Sequence, residues 1–160
     1  MQSGKILFAE QDGNYVLKFV GDVRLTLCST LDQFLEQMLH NEGFKTVIID
    51  LTETEGIDST SLGLLAKISV KMKQQHQLRP TIVSTNDDIS RILLSMGFDK
   101  VFILIKEAVQ QETQLKELSV MQASEEQVRS KVLDAHRTLM ELNEHNRESF
   151  RDLVRSLESD

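Results

Sequence analysis

Two rhythms of apolar and polar residues alternate along the first two thirds of the chain. Ile6–Glu10 and Tyr15–Val20 read as short strands, and Asp12-Gly13-Asn14 between them is a hairpin turn signal. Gly21-Asp22 is expected to end the second strand. A helix then starts near Ser29 or Thr30, because Leu31, Phe34, Leu35, Met38 and Leu39 recur at helical spacing. Ser29 with Asp32, or Thr30 with Gln33, supplies a capping-box pattern, and Asn41-Glu42-Gly43 closes the helix. Thr46–Leu51 is a nearly unbroken apolar run, as in a strand buried on both faces. A second helix is expected from Ser59 to Gln75, with Leu62, Leu65, Ile68 and Met72 inward. Pro80 precedes a strand at Thr81–Ser84. Asn86-Asp87-Asp88 caps a third helix that Gly97 ends. Val101–Ile105 reads as the last strand and Ala108–Val120 as a fourth helix.

The order β-β-α-β-α-β-α-β-α implies parallel crossovers with an antiparallel edge from the opening hairpin. The expected fold for residues 1–118 is a small mixed α/β sheet of four to five strands with about four helices. Residues 119–160 form a separate C-terminal helical extension. Its stretch from 123 onward is densely charged and lacks Gly and Pro, and Ser124 with Gln127 marks an N-cap. Val128, Val132, Ala135, Leu139 and Leu142 are spaced four, three, four and three, with Asn146 at the next seam position. Phe150, Leu153, Val154 and Leu157 resume the apolar face in a shifted phase. The pattern suits one long helix or two shorter ones. Either the extension folds back on its own domain, or it projects for self-association or a second protein partner.

Charge narrows the class. The net charge over 160 residues is −7, and Lys and Arg are scattered among acids. That argues against a nucleic-acid face, which needs clustered cations. Cys28 is the only cysteine, so no internal disulfide framework exists, which suits a reducing compartment. The opening MQSGKILFAE lacks the basic and long apolar stretches of a signal peptide, and no apolar run approaches a bilayer's thickness. The expectation is a cytoplasmic protein without membrane contact.

Candidate chemistry concentrates at Asp58-Ser59-Thr60-Ser61. Several hydroxyls stand at the start of a helix where one cap would serve. Free N–H groups and the helix dipole favour a phosphate there. Glu53–Ile57 reads as a short polar turn, which would leave the site reachable. A phosphate beside Asp58 and Glu55 would add close to two negative charges to an acidic patch and repel a partner that must desolvate it.

Together with the element order, Ile57-Asp58-Ser59-Thr60-Ser61-Leu62-Gly63 after Val47-Ile48-Ile49-Asp50-Leu51 resembles the STAS domain of bacterial anti-sigma factor antagonists. The resemblance spans about residues 4–110. It implies that Ser59, directly after the Asp, is the phosphoacceptor, with Thr60 the second choice. It implies a phosphosite loop and docking surface made of Asp58, Thr60, Ser61, Leu62, Gly63, Asp22 and Arg24, together with the second helix. It implies as partners an anti-sigma factor, a serine protein kinase or one protein that is both, with a PP2C-type metal-dependent phosphatase reversing the mark. The unphosphorylated form would bind, and no cofactor is implied. Two positions depart from the family's pattern. Ser61 replaces the usual Gly, adding a second hydroxyl acceptor. Arg24 stands where an acid is common, in position either to meet a phosphate on Ser59 or to alter partner choice.

Two other readings stay open. A scaffold or ligand-responsive module would use the same hydroxyls only as caps. An aspartyl-phosphate receiver would use Asp50, Ser84 or Thr85, and Lys106 at strand ends, with Glu10 and Asp12 as its metal-binding acids. The hairpin position of those two acids speaks against it. For an enzyme the residues offer little. Phosphate-cradling glycine motifs are missing, His40, His76, His136 and His145 lack metal-ligand spacing, and Cys28 has no activating context.

Overall fold

The computed structural model describes residues 2–108 and 114–159. β1 (Lys5–Gln11) and β2 (Asn14–Val23) form the opening hairpin. Asp12 and Gly13 both take positive φ, 53° and 87°, the conformation that a two-residue turn between twisted strands requires. β2 does not stop at Gly21. It passes through that residue at φ 80° and continues to Val23. A short 3-10 turn, Leu25–Leu27, leads into α1 (Cys28–Leu39).

The expected capping box on α1 is absent. Leu27 occupies the cap position without a side-chain bond. Thr30 and Asp32 instead find partners elsewhere: Met121 N–H donates to Thr30 Oγ1 at 2.9 Å, and Asp32 pairs with Lys131 of the C-terminal segment and with Lys67.

β3 (Thr46–Asp50) pairs in parallel with β2 along Asn14–Lys18. The polar stretch that follows is not an open turn. β4 (Thr54–Ile57) pairs in parallel with the far end of β2, after a register shift between Gly21 and Asp22. Thr54 is buried there and its hydroxyl donates to Phe19 O at 2.7 Å. Next come α2 (Ser59–His76), β5 (Thr81–Val83), α3 (Asp87–Ser95) and β6 (Ile103–Ile105). A 3-10 turn at Phe98–Lys100 is followed by a turn and bend at Val101 and Phe102, so β6 begins two residues after the expected Val101.

The fold is a seven-stranded mixed sheet in the order β6-β5-β3-β2-β1-β7, with β4 on β2. Helices pack on an apolar core that includes Leu17, Phe19, Ile49, Leu65, Ile68 and Phe98. β4 and β7 are the strands that the apolar pattern does not mark. β7 (Lys116–Glu117) lies antiparallel to β1, so the helix expected over Ala108–Val120 is replaced by strand at these two residues. Residues 109–113 of that span lie outside the described residues.

The extension is two helices, α4 (Glu125–Leu142) and α5 (Glu144–Glu158), forming a hairpin folded back on the domain. Ser124 and Gln127 form a complete capping box on α4. Ala135 and Leu139 of the expected seam are buried, and Val128, Leu142 and Phe150 pack against the core. The polar seam residue Asn146 has no solvent exposure. Its Nδ2 donates to Met96 O at 2.8 Å and to Leu139 O at 3.0 Å, tying the hairpin corner to the end of α3. Asn143 Nδ2 reaches the same Met96 carbonyl at 3.2 Å.

Replacing Asn146 with Ala removes two hydrogen bonds, taking its donor from the buried Leu139 carbonyl and leaving Met96 O with Asn143 alone. The expected cost is about 1–3 kcal/mol, read as a lower urea midpoint with an unchanged slope.

Candidate functional site

Asp58 organises the corner between β4 and α2. Its backbone is extended, its Oδ1 accepts from Ser61 N–H at 2.9 Å, and its Oδ2 accepts from Leu25 N–H at 2.6 Å. One carboxylate therefore caps α2 and holds the chain that leaves β2. Its own N–H donates to Val23 O at 3.1 Å.

This arrangement sorts the hydroxyl cluster. Ser59, the first residue of α2, is only partly buried. Thr60 and Ser61 point inward and are buried, at 3% and 2% exposure. Leu62 is a core residue, and Gly63 is covered. Of the loop residues assigned from sequence, Asp58 and Ser59 keep partial exposure, while Thr60, Ser61, Leu62 and Gly63 present little surface. Ser61, expected as a second acceptor, is turned inward and buried.

Arg24 is exposed, and its Nε donates to Asp22 Oδ2 at 2.8 Å. That hydrogen bond, with the charges of Asp22 and Asp58, holds the guanidinium's pKa above its ordinary value.

The Ser59 hydroxyl does not face open solvent. It lies 2.7 Å from His136 Nε2, on α4. His136 is 2% exposed, and its Nδ1 lies 2.7 Å from Val132 O. A carbonyl only accepts, so Nδ1 carries the proton, and in the neutral ring Nε2 accepts from the Ser59 hydroxyl. The Phe150 ring fixes the imidazole edge-on, with centroids 5.1 Å apart. The reachable site expected from the polar turn is thus corrected twice, by strand β4 before it and by α4 over it. In the sequence His136 lacks metal-ligand spacing. The signal it does carry is a polar residue beside Ala135 on the apolar stripe of an amphipathic helix.

Ser59 and His136 have the separation of a nucleophile and its base. The Nδ1 partner is a backbone carbonyl, and α4 itself fills the space above the hydroxyl. Neither residue lines any of five surface clefts found among the described residues. The contact joins the start of α2 to α4.

Two further features bring α4 down on this face. At Gly63 an added Cβ would stand 2.2 Å from Ala135 O, so the helices meet backbone to backbone only because position 63 has no side chain. Beside it Asp32 of α1, largely buried, accepts from Lys67 Nζ at 2.7 Å and from Lys131 Nζ at 2.6 Å. Lys67 also pairs with Glu36 at 2.6 Å. Burial pushes the Asp32 pKa up, but the two lysines outweigh it and hold the carboxyl below its ordinary range. Burial likewise pulls Lys67 down, and its bonds to Asp32 and Glu36 outweigh that and raise it. Burial also raises the pKa of the Cys28 thiol, in keeping with a packing role.

The receiver arrangement is not formed. Asp50 closes its own turn, accepting from Thr52 N–H at 2.8 Å and from the Thr52 hydroxyl at 2.7 Å. Glu10 accepts from Gly13 N–H in the hairpin. That hairpin adjoins the Thr46 end of β3, opposite Asp50. Ser84 is engaged with Ser90.

The STAS domain family model matches residues 5–112. The chain belongs to the STAS domain family. Its fold is similar to the crystal structure of a candidate anti-sigma factor antagonist from Thermotoga maritima, with a TM-score of 0.55 and 19% identity. The match covers 62% of this chain and 85% of that one. The α4–α5 hairpin lies beyond the STAS match. No helix among the described residues is long and apolar enough to cross a membrane.

The Asp32 cluster has a defined pH signature. Its folded pKa is depressed, so its contribution is present above the unfolded value of about 3.9 and is lost as pH falls through the folded one. Asp32→Asn should lose about 2 kcal/mol at neutral pH, a figure discounted for the exposure of Lys131. The gap to the native chain should close below about pH 4, measured by urea unfolding at each pH.

Proposed function

We propose that this STAS protein is a cytoplasmic anti-sigma factor antagonist that works by partner switching, with Ser59 as its phosphoacceptor. Unphosphorylated, it binds an anti-sigma factor or kinase. Phosphorylation at Ser59 releases it, and a PP2C-type phosphatase restores it. The chain is the substrate of these enzymes and not itself the catalyst.

The observation that carries this reading is the sorting of the hydroxyls. Asp58 turns Thr60 and Ser61 inward and leaves Ser59 as the hydroxyl-bearing residue of the helix start that keeps partial exposure. The similar fold of the Thermotoga maritima protein supports the role. A phosphate on Ser59 would sit at the positive end of α2, where first-turn N–H groups and the dipole stabilise it locally. It would also stand beside the Asp58 carboxylate. A partner docking on this corner would have to desolvate both charges.

The hydrogen bond from Ser59 to His136 favours a second reading, in which the hydroxyl serves only to hold α4 and the domain is a scaffold. Substitutions separate the two. Ser59→Asp should weaken binding to an anti-sigma factor from the native cell by about 100-fold, near 3 kcal/mol, while Ser59→Ala binds constitutively. Equal binding by both variants in calorimetric titration would select the scaffold. Phosphopeptide mapping should find a hydroxylamine-stable phosphate on Ser59 and no labile acyl phosphate on Asp50.

A further inference from the structure

We propose that the α4–α5 hairpin is a displaceable cover over Ser59 and the adjoining face of α1 and α2, so that kinase and binding partner both act on an opened form. The inference rests on the reading of Ser59 as the modification site, but the opening itself is a property of the fold.

Three observations place the cover. His136 holds the Ser59 hydroxyl at 2.7 Å, a separation with no room for a transferred phosphoryl group or for a kinase's catalytic residues. Ala135 lies backbone-close on Gly63, one turn further along α2. Lys131 bonds Asp32 of α1 at 2.6 Å, so α4 lies across both helices. The surface that follows Ser59 along α2 is thus already occupied by a helix of the same chain.

The way the hairpin is held makes it separable from the sheet. Of the apolar residues of α4 only Ala135 and Leu139 are buried, and of those of α5 only Val154. α2 beneath buries Leu62, Leu64, Leu65, Ala66, Ile68 and Met72. The hairpin gives the core two buried residues, Ala135 and Leu139, and the partly buried Val128, Leu142 and Phe150, a smaller share than α2 gives, and much of its attachment is polar: His136 to Ser59, Lys131 to Asp32, Asn146 to Met96. Segments with few buried apolar contacts open below the free energy of global unfolding. When the hairpin leaves, Gly63 and Leu64 are uncovered beside Ser59, with Lys67 still paired to Asp32 and Glu36. That is an apolar strip flanked by charge, fit for an amphipathic helix of the partner in place of α4.

The test needs no kinase. Ser59→Cys in the full chain places a thiol at the acceptor position, and its alkylation by iodoacetamide reads access directly. The buried native Cys28 gives the background, measured in the unsubstituted chain. The thiol should react at least about tenfold slower than in the urea-unfolded chain. Adding Lys131→Glu, which sets a carboxylate against Asp32, should speed it about fivefold. Hydrogen exchange should report the same opening: amides of residues 132–139 exchange faster in Lys131→Glu, and those of β3 do not change. Alkylation at the unfolded rate, or insensitive to Lys131→Glu, overturns the cover. So does exchange of α4 in step with β3 in both chains. Loss of β3 protection in Lys131→Glu would make the hairpin part of the core and would also overturn it. A Ser59 that carries no phosphate in the native cell would remove the modification reading and leave these rates standing.

Discussion

One carboxylate holds the functional corner of this protein in shape. Asp58 accepts from Ser61 N–H and from Leu25 N–H, and so joins the start of α2 to the segment that leaves β2. Helix capping by Asp is ordinary. Here the second oxygen adds a tertiary bond 33 residues away in sequence, which fixes the direction in which the helix begins. The orientation of three successive hydroxyls follows. Thr60 and Ser61 are driven under the helix, and Ser59 is left at its rim.

What stands at that rim belongs to another part of the chain. α4 reaches Ser59 only because α2 carries Gly63 one turn later, where any side chain would meet the Ala135 backbone. Close approach brings His136 into range and sets Lys131 over Asp32. The three contacts support one another, since each is geometrically possible only while the helices stay close. The polar ones hold groups that are also stable in water, unlike the Leu and Ile of the core. The same interface is thereby specific in its register and modest in its strength, the combination that a separable element requires.

Local regularities made most of the architecture legible in the sequence. Helical spacing placed α2 within a residue or two, Asp12-Gly13 gave the hairpin, and Asn86 capped α3 as its side chain suggested. Elements with too few residues to carry a period were not legible: β4, hidden in a polar stretch, and β7, two residues long. The α1 capping pattern misled because Thr30 and Asp32 found stronger partners in the C-terminal segment than the local helix offered.

The sequence by itself determined the alternating α/β order, the amphipathic seam of the extension and the cluster of hydroxyls at one helix start. Each of these is set by neighbours within a few positions, through backbone sterics, side-chain period and capping. Only the tertiary structure decided which hydroxyl-bearing residue stays at the rim, that the extension folds back, and that His136 meets Ser59. That last contact joins residues 77 positions apart. Its geometry is fixed by how two helices settle on a shared Gly63, and no local pattern in either segment records the other's position.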